Sequence, residues 1–127
     1  MKTCLICNPG AGNVDDTQAL EEKLRRFANA SIHFTKEAGD ATRLAKAALD
    51  DGCTTIIAAG GDGTLNEVIN GIAPHASDAI VGLLPLGTGN DFARMLGLPD
   101  SLDDCIDVLR AGATRPTDLV RVSSDQV

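Results

Sequence analysis

Residues 53–64 read Cys53-Thr54-Thr55-Ile56-Ile57-Ala58-Ala59-Gly60-Gly61-Asp62-Gly63-Thr64. The first part, Cys53–Ala59, is β-branched and apolar with no polar alternation, as expected of a strand buried on both faces. A glycine-rich turn follows. Helical patterning then starts, predicting a helix over Thr64–Ile72, with Thr64 and Glu67 in capping-box spacing. A doubly buried strand feeding a helix through a short glycine turn is the repeating unit of a parallel α/β sheet.

The same unit recurs on either side. Lys2–Cys7 is a short apolar strand, followed by a turn of Gly, Pro and Asn over Asn8–Asn13. Asp15–Asn29 is helical, with Leu20, Leu24, Phe27 and Ala28 on one face, Asp15 and Asp16 at its positive end and Arg25 and Arg26 at its negative end. Ser31–Thr35 is a second strand. Asp40–Asp50 is a second helix with Ala41, Leu44, Ala45 and Ala48 inward, and Gly52 marks its stop. Ala79–Leu84 is a further apolar strand. Asn90–Leu96 and Ser101–Ala111 are helical, the latter capped by Ser101 with Cys105, Val108 and Leu109 inward, and Leu119–Val122 starts a last strand. The expected fold is α/β: one domain over residues 1–115 with a doubly wound, mostly parallel sheet and helices on both faces. The Pro116-containing stretch Gly112–Asp118 is the one candidate boundary, so residues 116–127 read as the start of a crossover into a second domain.

Composition removes several function classes. The 127 residues carry 11 basic and 18 acidic side chains, a net charge of -7, which opposes the basic footprint of a nucleic-acid binder. Aromatics are 2% of the chain, too few for base-stacking platforms. No apolar run approaches a membrane span and no secretory signal pattern opens the chain. The four cysteines therefore read as reduced thiols. Cys4 and Cys7 form a C-x-x-C, but they lie on a strand, where residues three apart face opposite sides, so both read as small buried hydrophobes. His33 and His75 stand without metal-ligand spacing.

The glycines carry the chemistry. Three clusters directly follow the first, third and fourth strands: Asn8-Pro9-Gly10-Ala11-Gly12, Gly60-Gly61-Asp62-Gly63-Thr64 and Leu86-Gly87-Thr88-Gly89-Asn90. In a parallel sheet all three lie on the carboxyl edge, where ligands bind. Glycine lets consecutive N–H groups converge on one oxyanion, and each cluster leads into a helix N-terminus, which favours negative charge. Phosphate is the expected ligand, and backbone dipoles with a metal ion would hold it without a basic patch. Neither the Walker spacing nor the dinucleotide Gly-x-Gly-x-x-Gly spacing is present.

Gly60-Gly61-Asp62-Gly63-Thr64-Leu65-Asn66-Glu67 resembles the nucleotide-binding signature of the diacylglycerol kinase catalytic domain, a family that includes sphingosine and ceramide kinases and bacterial lipid kinases. Its Gly-Gly-Asp-Gly core is shared with NAD kinases and phosphofructokinases. Asn8-Pro9-Gly10-Ala11-Gly12 is similar to the family's Asn-Pro-x-Ser-Gly. Leu84-Pro85-Leu86-Gly87-Thr88-Gly89-Asn90-Asp91-Phe92-Ala93-Arg94 is similar to its next block, and Thr35 with Gly39-Asp40-Ala41 is a fourth echo. The resemblance implies a phosphofructokinase- and NAD-kinase-like fold and an ATP-dependent kinase acting on a lipid hydroxyl, with ATP and Mg²⁺ as cofactors. Asn8 to Gly12 would bind nucleotide phosphate or ribose, and Thr35 and Thr88 would contact the nucleotide. Gly60 to Asn66 would hold the phosphates. Asp62 would stand near the transferring group and hold the metal through water, since a carboxylate among phosphate-binding amides needs a cation between them.

Two departures matter. Ala11 stands where the family has Ser, which removes one hydroxyl from the first loop. The family's second, β-rich domain supplies the general base and much of the lipid site, and this chain reaches only the crossover to it, with Arg115 to Val122, including Asp118, resembling that crossover. The isolated chain is therefore expected to be inactive. A diacylglycerol-like lipid and a transient membrane surface are the expected partners, nucleic acid is not, and the expected location is the cytoplasm with peripheral contact at the inner membrane face. The competing readings are an NAD kinase-like enzyme, against which the Gly87–Phe92 block speaks, and a non-catalytic nucleotide-binding module.

Overall fold

The computed structural model describes residues 2–9, 17–25, 30–74, 79–86 and 104–107. Among these residues four strands and three helices alternate: β1 (Thr3–Cys7), α1 (Thr17–Leu24), β2 (Ala30–Phe34), α2 (Asp40–Asp50), β3 (Thr55–Gly60), α3 (Asp62–Ile72) and β4 (Ile80–Pro85). The strands form one parallel sheet in the order β2-β1-β3-β4. The chain steps from β1 to β2 in one direction and from β2 across to β3 and β4 in the other. With right-handed crossovers, that reversal puts the helices on opposite faces.

Side-chain alternation along the central strands divides the core accordingly. Cys4 and Ile6 of β1 and Ile56 and Ala58 of β3 face Ala41, Ala45 and Ala48 of α2 and Leu65, Val68 and Ile72 of α3. Leu5, Cys7, Ile57 and Ala59 face the other way, toward Leu20 and Leu24 of α1 and toward Cys105 and Ile106 of a short helical stretch at 104–107. The doubly buried strand expected from residues 53–59 is β3, whose Ile56 to Gly60 are all buried. The C-x-x-C cysteines separate onto the two faces, as a strand requires. Burial pushes both thiols up, Cys7 to about 12.

Helix ends follow local chemistry. α2 occupies the expected Asp40–Asp50 and stops in a Schellman arrangement: Gly52 has φ +90°, its N–H donates to Leu49 O (3.0 Å), and Cys53 N–H donates to Ala48 O (2.9 Å). α3 begins at Asp62, two residues before the expected Thr64, with Gly61 as its N-cap residue and no side-chain cap bond. Thr64 therefore sits in the first turn, buried, and the intrahelical capping box with Glu67 does not form. α2 and α3 pack closely, and Gly71 permits it: a Cβ there would collide with the Thr42 carbonyl oxygen. In β4, the last strand of the sheet among the described residues, Ile80 and Val81 are exposed, where the sequence read as apolar. The expected helix at 90–96, the expected helix at 101–111 apart from 104–107, and the strand at 119–122 lie outside the described residues, as do Phe27, Ala28 and His75.

Candidate functional site at the carboxyl edge of the sheet

Sheet register sets the site. Cys7 pairs with Phe34 on one side and Ala59 on the other, and Gly60 pairs with Pro85. The residues that leave the strands are therefore in one row, and hydrogen bonds carry the sheet one step into the loops. Thr35 N–H donates to Cys7 O (2.8 Å), Asn8 N–H to Ala59 O (2.9 Å) and Leu86 N–H to Gly60 O (3.0 Å). The chain turns away in opposite directions after β1 and after β3, so the switch-point crevice opens between Asn8 and Gly60–Gly61.

The Gly60–Asn66 segment divides into a frame and a surface. Gly60 is buried and packs under Thr64, with no room between them for a side chain. Leu65 N–H donates to Gly61 O (3.1 Å) and its side chain lies in the core with Val68 and Ile72. Thr64 and Leu65 thus hold the turn in place. Asp62, Gly63 and Asn66 are exposed at the opening turns of α3, and Gly61 is half-buried. A Cβ on Gly63 would meet nothing within 4 Å, so this side of the helix end is open. N–H groups in a helix's first turn have no acceptor within the helix, and the aligned dipoles leave that end positive. An anion fits there without a basic residue. Asp62 brings a carboxylate to the same turn. Among the described residues no group of three or more His, Cys, Asp or Glu could hold a metal ion by itself. One exposed carboxylate beside a helix N-terminus is a donor set compatible with Mg²⁺, which takes one or two carboxylates together with substrate phosphates and water.

Of the other expected site residues, Asn8 and Pro9 are half-buried at the end of β1, and Thr35 is half-buried at the end of β2. Gly10, Ala11, Gly12 and Thr88 lie outside the described residues. The turn after Thr35 is closed by two carboxylates. Asp40 Oδ2 accepts Lys36 N–H (2.8 Å) and Glu37 N–H (3.1 Å), while Arg43 donates to Asp40 Oδ1 (3.0 Å). The Lys36 amide, then Arg43, then the Glu37 amide hold the Asp40 carboxyl below the usual carboxylate range. The second carboxylate belongs to α3: Glu67 Oε1 accepts Gly39 N–H at 2.6 Å. Three amides of this turn are therefore already paired, those of Lys36 and Glu37 with Asp40 at the start of α2 and that of Gly39 with Glu67 of α3. Glu67 was visible in the sequence as a capping residue, but nothing local to residue 67 points to α2.

A parallel sheet with a glycine turn and a helix N-terminus at its switch point defines a class of doubly wound α/β domains. Within that class the family model for the diacylglycerol kinase catalytic domain matches residues 2–122. The chain belongs to the diacylglycerol kinase catalytic domain family. It is 43% identical over 124 residues to a diacylglycerol kinase of Bacillus subtilis (strain 168), covering 94% of this chain and 41% of that protein. A diacylglycerol kinase of Staphylococcus carnosus (strain TM300) is 40% identical over 124 residues, covering 94% and 40%. Among solved structures, a diacylglycerol kinase from Bacillus anthracis str. Sterne superposes with a TM-score of 0.79 at 34% identity, covering 91% of this chain and 43% of that one. The chain spans about two fifths of the length of these relatives.

Proposed function

We propose that these residues form the nucleotide-binding domain of an ATP-dependent lipid kinase that transfers the γ-phosphoryl group to a lipid hydroxyl, diacylglycerol being the favoured acceptor. The observation that carries this reading is the open N-terminus of α3 at the switch-point crevice, in a chain of this family. First-turn amides of α3 receive phosphate oxygens, and glycine at positions 61 and 63 keeps side chains out of the way. Asp62 would hold Mg²⁺, which would supply positive charge to offset that of the phosphates during transfer. Asn8 to Gly12, Thr35 and Thr88 position the rest of the nucleotide. In the transfer, the acceptor hydroxyl oxygen bonds to the γ-phosphorus, its proton passes to a general base, and ADP leaves.

We assign that base to none of the residues named above. Residues 1–115 form the nucleotide domain and 116–127 begin the connection to a β-rich part of the natural protein that holds the base and most of the lipid site. The 127-residue stretch alone then binds Mg-nucleotide weakly and turns nothing over, with lipid presentation at a membrane surface left to the remainder. Among the described residues, no helix is long and apolar enough to cross a membrane.

The test is phosphoryl transfer by the full-length protein from ATP to diacylglycerol vesicles or to NAD. Labelled phosphatidic acid supports the reading. Phosphorylated NAD without phosphorylated lipid overturns it, and so does turnover by residues 1–127 alone, because that would put the base in this chain.

A further inference from the structure

β2 and β3 are not neighbours in the sheet, because β1 lies between them. Strand ladders therefore relate the Thr35 turn to the α3 N-terminus only through β1. Above the sheet, among the described residues, α2 and α3 meet through the apolar packing of Ala41, Ala45 and Ala48 with Leu65, Val68 and Ile72, through two hydrogen bonds and through a close backbone approach, and of these only the Gly39–Glu67 bond reaches the Thr35–Gly39 turn itself. Gly71 lies against the Thr42 carbonyl. Thr42 Oγ1 donates to Glu67 O (2.8 Å). Gly39 N–H donates to Glu67 Oε1 (2.6 Å), and this is the contact nearest the crevice. The other bonds of the turn are internal to it or run to β1: Lys36 and Glu37 to Asp40, Asp40 N–H to Glu37 O (3.2 Å), and Thr35 N–H to Cys7 O. The Gly39 amide alone, among these, is tied to the helix that carries Asp62. It is also the N-cap residue of α2, so Glu67 supplies from another helix the acidic half of a capping box.

We propose that Glu67 is a positioning residue for the nucleotide site. Its carboxylate holds the Thr35–Gly39 turn at one distance from the α3 phosphate turn, so that the two walls of the crevice fit one nucleotide. This rests on the functional reading above. Removing the carboxylate leaves the turn closed on Asp40 but free to move against α3, so the cost falls on nucleotide binding more than on folding. A displacement of this kind is felt at a site even when the changed residue does not touch the ligand.

The test uses the full-length protein with Glu67→Ala, Glu67→Gln, Glu67→Asp and, as a control for general loosening of the helix pair, Thr42→Val. Three quantities are read: hydrogen exchange of the Gly39 amide, the KM for Mg-ATP against kcat, and melting temperature. Glu67→Ala is expected to speed Gly39 exchange and raise the KM about tenfold, with kcat within about twofold. Glu67→Gln keeps an acceptor oxygen and restores both readouts, while Glu67→Asp, shorter by one methylene, falls between. Thr42→Val lowers the melting temperature without raising the KM. An unchanged KM in Glu67→Ala, a Gln variant as impaired as Ala, or a Thr42→Val variant with the same KM defect each overturns the inference while leaving the functional reading in place. A wild type that binds no nucleotide overturns the functional reading and this inference with it.

Discussion

Gly60 lies directly under Thr64: a Cβ on Gly60 would stand 2.5 Å from Thr64 Oγ1 and 2.8 Å from Thr64 Cβ. The close approach lets β3 run straight into α3, and it places the helix N-terminus at the end of the strand instead of beside it. Glycine is required here for space, with no demand for positive φ. Both partners are buried, so neither has room to withdraw.

Gly60→Ala is therefore expected to destabilise the protein by about 1–3 kcal/mol, the usual cost of overpacking. A Thr64→Ala change in the same chain should recover part of the loss and not all of it, because the Cβ of residue 64 remains in contact. Urea midpoints of the two variants and the wild type check this. A Gly60→Ala protein as stable as wild type would remove the steric account of the turn.

Gly63 makes the opposite prediction. Nothing lies within 4 Å of a Cβ at this position, which is in the first turn of α3. Gly63→Ala reduces the freedom of the unfolded chain and is expected to stabilise by about 0.4–1 kcal/mol. The same methyl group projects where phosphate is proposed to sit, so Mg-nucleotide affinity should fall. Raised stability with lowered affinity is the signature of a site glycine. Unchanged affinity would mean that the phosphates do not approach this face of the turn.

The contrast between Gly60 and Gly63 also marks how far the sequence could be read. Both sit in one glycine cluster, and their clustering after a strand was enough to predict the turn, the sheet edge and the helix beyond. Strand and helix order was legible because the apolar patterns of β3 and α2 are unbroken and Gly52 stops α2 as helix-end chemistry requires. Which glycine serves packing and which faces open space depends on the contacts of one Cβ, and composition does not encode that. Glu67 went to the wrong partner for a related reason. Capping boxes are recognised by spacing within one helix, whereas the Gly39 amide comes within reach only after β2 and β3 have been placed on either side of β1. The exposed start of β4 was also hidden, since Ile80 and Val81 are as apolar as the buried residues of β3 and only the structure shows them at the surface.

Asp62 tests the metal proposal. It is exposed in the first turn of α3, where a carboxylate favours the helix dipole by about 0.3–1 kcal/mol, so Asp62→Asn should change stability little. If the carboxylate holds Mg²⁺ against the phosphates, the thermal shift that Mg-ATP gives the wild-type full-length protein should disappear in the variant. The shift given by ATP without Mg²⁺ should persist or grow, because one negative charge has left the anion site. Equal Mg-ATP shifts in the two proteins would exclude Asp62 from the metal site.

The acid limb of the stability curve has identifiable sources. The Lys2 ammonium, 2.7 Å from Asp51 Oδ2, holds the Asp51 carboxyl below the usual range, and the Lys36 amide, Arg43 and the Glu37 amide do the same for Asp40. For a carboxyl whose folded pKa is depressed, the unfolded chain binds more protons as pH falls. The stabilisation is present above the unfolded value, about 3.9, and is lost as pH drops through the folded value. Stability should thus rise with pH across the acid range through these two groups. Lys2 behaves in the opposite sense: its pKa is raised by Asp51, so its contribution is full below the unfolded value, about 10.4, and is lost as pH rises through the folded one. Asp51→Asn should flatten both ends of the curve and Asp40→Asn the acid end alone. Lys2 and Asp51 are both exposed, whereas the Asp40 side chain is only 13% exposed and is held first by a backbone amide, so added salt should shrink the Asp51 differences more than the Asp40 ones. Urea unfolding from pH 2.5 to pH 11 would decide it, and acid slopes identical in wild type and Asp51→Asn would show that the Lys2–Asp51 pair does not couple to folding.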